Sequence, residues 1–187
     1  MEAGMARRLT RHIVLIGMMG SGKTAIGGEL ARRLRVPFAD SDAEIEAAAA
    51  MSISEIFARD GESFFRAREA QVLARLLAGR PGVISTGGGA WMQPANREAI
   101  AARGLSVWLN CDPETLWARV RQRPTRPLLQ TPDPKGTLLR LLEERSPVYA
   151  LAELQFQSRA GDSIEASTRR LIAALHVADP QLIEEKP

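Results

Sequence analysis

Eight residues near the start of the chain, Gly17-Met18-Met19-Gly20-Ser21-Gly22-Lys23-Thr24, fit G-x-x-x-x-G-K-[ST] completely. Glycines at those places let the backbone curl until its N–H groups face a polyphosphate, and the helix that follows adds the positive end of its dipole. Lys23 is then placed to reach the β- and γ-phosphates of a nucleotide, and the Thr24 hydroxyl to ligate Mg²⁺. Gly20, Ser21, Gly22 and Ala25 complete the set expected to hold the nucleotide. Asp40-Ser41-Asp42 offers two carboxylates two residues apart, which could divide the work of holding metal-bound water and orienting a substrate hydroxyl, or could simply cap a helix. Arg66 and Glu69 stand at i, i+3, with Glu62 one turn earlier; by themselves they read as surface ion pairing worth a few tenths of a kcal/mol. Gly87-Gly88-Gly89 exceeds what a turn needs and suggests a ligand lying close to backbone. Arg126 and Arg145 carry little meaning as single arginines.

These groups need a scaffold that brings them to one place. HIVLI (12–16) is a continuous apolar run, as expected of a strand buried on both faces, and Ile26, Leu30 and Leu34 form a helical stripe after the glycine loop. VPFA (36–39) reads as a strand near an edge. A helix follows over Ala43 to Met51, and Ser52-x-x-Glu55 has capping-box spacing for another. Asp60-Gly61 ends that helix, and Glu62 opens a longer one with Phe65, Val72, Leu73, Leu76 and Leu77 turned inward. GVIST (82–86), LSVWL (105–109) and LQFQ (154–157) read as further strands. Helices are expected from Pro94, from Pro113, over Thr137 to Arg145 and over Ser163 to Leu175. Residues 123–136 are rich in proline and read as a lid-like loop; Arg7 and its neighbours and the tail after His176 read as poorly ordered. The alternation predicts an α/β fold, a five-stranded parallel sheet with helices on both faces, and carboxyl strand ends lining one rim.

Composition narrows the field. In 187 residues, 45% are apolar and 25% charged, which suits one soluble domain. A formal charge of +3 and 5% aromatic residues leave no footprint for nucleic acid. No window approaches the ~20 apolar residues of a membrane span. Arg7, Arg8 and Arg11 before IVLIGMM imitate a signal peptide, but the stretch runs straight into GSGKT without a cleavage pattern. The single cysteine, Cys111, forms no intrachain disulfide, which favours a reducing cytoplasm. With no obvious apolar seam, a monomer is expected. Trp91, next to the glycine triplet, is a candidate substrate contact; Trp108 and Trp117 read as core, Met18 and Met19 as spacers, and His12 and His176 as uninvolved.

Taken together, GMMGSGKT (17–24), FADSD (38–42), FR-x-x-E (65–69), STGGGA (85–90), RPLL (126–129) and R-x-P-x-Y (145–149) resemble the shikimate kinase family, in family order over about residues 12–175. The resemblance implies a P-loop fold in one domain. Residues 1–11 would be an extension, 12–40 the phosphate loop and core, 41–80 the substrate-binding region, 123–136 the lid and 177–187 a tail. It implies ATP-dependent phosphorylation of the shikimate 3-hydroxyl, on the way to chorismate and aromatic amino acids, with Mg²⁺ as cofactor. Thr24 and Asp40 would serve the metal. Asp42 would contact the shikimate hydroxyls and accept the proton of the attacking one. Arg66 and Arg145 would clamp the carboxylate, Glu69 would hold Arg66, and Gly87, Gly88 and Gly89 would line the same pocket. Lys23 and Arg126 would serve catalysis at the phosphates, and Arg119 would flank adenine. A gluconate- or nucleoside-type kinase, or a nucleotide-binding module without catalysis, are the competing readings.

Overall fold

A computed structural model describes residues 7–122 and 129–185. Five strands form one parallel sheet in the order β3-β4-β2-β5-β6: β2 (His12–Ile16), β3 (Phe38–Asp40), β4 (Val83–Ser85), β5 (Gly104–Asn110) and β6 (Leu154–Gln157). The apolar run of β2 is buried throughout because it pairs on both sides, with β4 and β5. β3 lies on the sheet edge, starting just beyond Pro37, where a residue without an N–H costs no ladder bond.

Helices α1 (Lys23–Leu34), α2 (Ser41–Ala49), α3 (Ile53–Ala78), α4 (Pro94–Arg103), α5 (Pro113–Val120), α6 (Pro134–Tyr149) and α7 (Ile164–Ala178) complete the described chain. Two apolar clusters cover the two sheet faces. One joins Val14, Ile16, Trp108 and Tyr149; the other joins Ile13, Leu15, Leu30 and Leu171. A third, smaller one holds α2 to α3 through Ile45, Ile56 and Phe65. The expected capping box is present, Ser52 Oγ accepting from Glu55 N while the Glu55 carboxylate accepts from Ser52 N. Gly61 breaks α3 with φ 81°, where the sequence places a helix end.

Three expectations are corrected. Arg7 to Leu9 and the described part of the tail have regular structure: β1 (Arg7–Leu9) pairs antiparallel with β7 (Ile183–Glu185), and Leu9 and Leu182 are buried there. Arg11 fastens this clasp to the main domain by bonding Asp179, Glu153 and the Gly104 carbonyl. α6 is longer than expected: Asp133 caps it at Gly136 N, so Pro134 to Gly136 belong to its first turn rather than to the loop, and it passes through Pro147 to Tyr149. Met18 and Met19 are core residues, both buried against the sheet. His12, uninvolved in chemistry, is a structural pin. Its Nδ1 accepts from Gly82 N, which leaves Nε2 to donate to the Leu77 carbonyl, and burial lowers its pKa.

Candidate active site

The carboxyl ends of β2, β3 and β4 bring the phosphate loop, the aspartate pair and the glycine triplet to one rim. In the loop, Gly17, Gly20 and Gly22 have φ of 138°, 80° and 93°, values that side chains rarely tolerate, and Gly22 immediately precedes α1. Lys23 Nζ donates to the Gly17 and Met18 carbonyls at 2.9 and 3.0 Å. Thr24 Oγ1 donates to Asp40 Oδ2 at 2.6 Å. Asp40 is also the α2 cap, its Oδ1 accepting from Asp42 N and Ala43 N. Capping therefore occupies one Asp40 oxygen and leaves the other, Oδ2, on the Thr24 hydroxyl.

A cavity of about 590 Å³ opens over this loop, lined by Gly20, Gly22, Lys23, Thr24, Ala25 and Asp40. Ser21 is fully buried, and its Oγ has no hydrogen-bond partner among the described residues. Arg119 closes one side of the cavity, its Nη1 donating to the Gly20 carbonyl at 3.1 Å. Asp162, Ile164 and Ser167, just before and in the first turn of α7, also line it, and sequence reasoning missed them. The signal available for them is positional: they follow β6 on the rim where ligands of parallel sheets lie.

A second cavity of about 580 Å³ adjoins the first, the two sharing Met19, Asp42 and Gly88 in their walls. It is lined by Arg66, Glu69, Arg145 and all three glycines, with an apolar side from Ile53, Phe57 and Phe65. Ile53 and Phe57 were also missed; their i, i+4 spacing puts both on one face of α3 but does not say what that face meets. Glu69 is 1% exposed and accepts from Arg66 Nη1 at 2.8 Å. Burial pushes its carboxyl above the usual range, against the pull of Arg66 and Arg145. Arg145 Nη1, Glu69 Oε1 and Asp42 Oδ1 are buried without hydrogen-bond partners among the described residues, an arrangement suited to a polar guest.

The glycine triplet makes room for the site's own charges. A Cβ on Gly87 would stand 2.7 Å from Asp42 Oδ1, and one on Gly89 only 2.5–2.7 Å from the Arg66 guanidinium. The two glycines are needed for close approach of side chains rather than for unusual φ. The Asp42 carboxyl is pushed up to about 6, by burial first and then by the neighbouring Asp40 and Glu69 charges, with Lys23 acting in the opposite sense. Trp91, a candidate contact, is instead buried in the core and donates its indole N–H to Val148 O. Arg126 lies outside the described residues, as does the first part of the expected lid, 123–128.

Among the described residues no group of three or more His, Cys, Asp or Glu side chains could hold a metal by itself. The Thr24 hydroxyl and the Asp40 carboxylate are nonetheless hard oxygen donors beside the phosphate loop, and they fit Mg²⁺, which binds through few protein ligands together with phosphate oxygens. No helix among the described residues is long and apolar enough to cross a membrane.

A phosphate loop at the rim of a parallel sheet, opening beside a small cavity with paired arginines, defines a P-loop kinase of small molecules. A model of the shikimate kinase family matches residues 19–176. Shikimate kinase of Ruegeria pomeroyi is 58% identical over 172 residues, covering 92% of this chain and 88% of that one. The Cereibacter sphaeroides shikimate kinase is 56% identical over 177 residues, 95% and 88% of the two chains. The structure of Acinetobacter baumannii shikimate kinase in complex with shikimate superposes with a TM-score of 0.82 at 38% identity, covering 89% of this chain and 92% of that one. The chain belongs to the shikimate kinase family.

Proposed function

We propose that the chain transfers the γ-phosphoryl group of ATP to the 3-hydroxyl of shikimate, giving shikimate 3-phosphate and ADP. The observation that carries this reading is the second cavity: two arginines and an apolar wall at one end, a raised carboxyl at the border with the phosphate cavity. A small polyol acid needs one cationic clamp for its carboxylate and polar groups for its hydroxyls. Arg66 and Arg145 supply the clamp, and Glu69 fixes Arg66 from beneath. A molecule so held directs a hydroxyl toward Asp42, where both cavities meet.

Phosphoryl transfer asks the protein mainly for alignment and positive charge. Lys23 and the loop N–H groups hold the phosphates, Arg119 lies along the nucleotide, and Arg126 would add its charge at the phosphate oxygens. Thr24 and Asp40 would hold Mg²⁺, which would supply positive charge against that of the phosphates. Asp42 orients the attacking hydroxyl and receives its proton; a loose transition state demands little deprotonation beforehand. The enzyme acts as a monomer in the cytoplasm, on small molecules rather than nucleic acid or membranes.

A coupled assay of ADP release with Mg·ATP tests this, with shikimate, quinate, gluconate or no acceptor. Release dependent on shikimate supports the proposal. Release with gluconate keeps the phosphate site and overturns the substrate, and silence with all acceptors in a protein that binds ATP favours a module without catalysis.

A further inference from the structure

Among the described residues Tyr149 has the largest fully buried side chain, and its hydroxyl must be satisfied from within. It donates a short hydrogen bond to the Gly88 carbonyl, with the Met18 sulfur 4.0 Å away on another side. Its ring stacks on Trp108 of β5 at 5.9 Å between centroids. Gly88 is the residue that both cavities share with Asp42 and Met19. A Cβ there would lie 3.5 Å from Met19 N of the phosphate loop and 3.6 Å from Arg145 Nη1. The glycine that Tyr149 grips therefore lies close to both the phosphate loop and Arg145.

The same helix carries both groups. Arg145 and Tyr149 are four residues apart on α6, so their side chains project from one face. Between them Pro147 removes a backbone donor, which weakens the internal hold of the last turn. An anchor from outside the helix then matters more. Ser41 holds the neighbouring peptide, its Oγ accepting from Gly87 N at 3.2 Å, so the glycine segment is gripped from α2 as well.

We propose that the Tyr149 hydroxyl is a positioning group for substrate: by holding the Gly88 carbonyl it sets α6, and with it Arg145, at a fixed distance from the glycine segment and the phosphate loop. This inference rests on the reading of the second cavity as the shikimate site. Its consequence is selective. Loss of the hydroxyl lets Arg145 drift from the carboxylate position, while the phosphate loop keeps its own backbone contacts.

The test compares wild type, Tyr149→Phe and Trp108→Phe by KM for each substrate, kcat, thermal midpoint, and the thermal shift given by shikimate alone. Tyr149→Phe is expected to raise KM for shikimate roughly tenfold and to shrink the shikimate-induced shift, with KM for ATP within about twofold of wild type. Trp108→Phe, which trims the stacked ring and spares the hydroxyl, is expected to lower the midpoint and leave KM for shikimate in place. An unchanged KM in Tyr149→Phe overturns the proposal. So does an equal rise in both KM values, or a Trp108→Phe variant that raises KM for shikimate as much, since packing would then explain the effect. If wild type shows neither a shikimate-induced shift nor turnover, the functional reading fails and this inference with it. A wild type that binds shikimate beside a Tyr149→Phe that binds it equally well defeats this inference alone.

Discussion

Arg66 and Glu69 stand one helical turn apart on α3 and share a 2.8 Å hydrogen bond, with Glu69 almost wholly buried under the arginine. The pair that sequence spacing reads as surface decoration is thus a charged floor for the second cavity. Removing the carboxylate leaves the guanidinium with the exposed Glu62 as its remaining ion-pair partner among the described residues. Glu69→Ala is expected to weaken shikimate binding by ~2–3 kcal/mol and leave ATP binding nearly intact, as read by titration calorimetry of each ligand. Equal loss of both ligands would show that Glu69 supports the fold rather than the clamp.

Gly89→Ala tests the close approach of the triplet. A methyl group 2.5–2.7 Å from the Arg66 guanidinium must push the end of a flexible side chain aside. The fold is expected to survive, with circular dichroism unchanged, while KM for shikimate rises by about tenfold or more through the displaced arginine. A variant with wild-type KM would mean that Arg66 has no part in binding the acid.

The raised Asp42 carboxyl predicts a pH effect on rate and an opposite one on stability. With a folded value of about 6, protonation below that pH removes the proton acceptor, so kcat/KM for shikimate should fall on the acid side near 6. For stability the folded value lies above the ordinary aspartate value of 3.8, so the folded state binds the extra proton between these values. Asp42 therefore costs stability increasingly as pH rises from about 4 to 6, and Asp42→Asn should relieve that cost at neutral pH while lowering turnover. A variant less stable than wild type at pH 7 would contradict the burial argument.

The terminal clasp makes a prediction of its own. Leu182 is fully buried beside Leu9, so Leu182→Ala should cost ~2–4 kcal/mol in chemical denaturation, with both KM values unmoved. A cost below about 0.5 kcal/mol would return the tail to the status of a loose end.

Much of this architecture is legible from residue order. HIVLI coincides with its strand because a continuous apolar run between two partners allows no register choice, and Pro94 and Pro113 open their helices as first-turn prolines do. The clasp was hidden because β1 and β7 are short, polar and at opposite ends of the chain, so only tertiary pairing defines them. α6 outran its expected end by continuing through Pro147, whose missing N–H forfeits one bond of the last turn without ending the helix. Within the site, the loop and the aspartate pair are written in local spacing. The apolar wall of Ile53 and Phe57, and the grip of Tyr149 on Gly88, depend on which helix faces land beside the glycines, which local spacing does not state.

The central claim is that an acid clamped by Arg66 and Arg145 presents one hydroxyl to the phosphate loop. The most direct test is ³¹P and ¹H NMR of a reaction containing the protein, Mg·ATP and shikimate, which identifies both the product and the oxygen phosphorylated. The account predicts ADP with a single phosphomonoester at the 3-position, lost in Arg145→Ala. Inorganic phosphate as the sole product, or a phosphomonoester at another position that persists in Arg145→Ala, would contradict it.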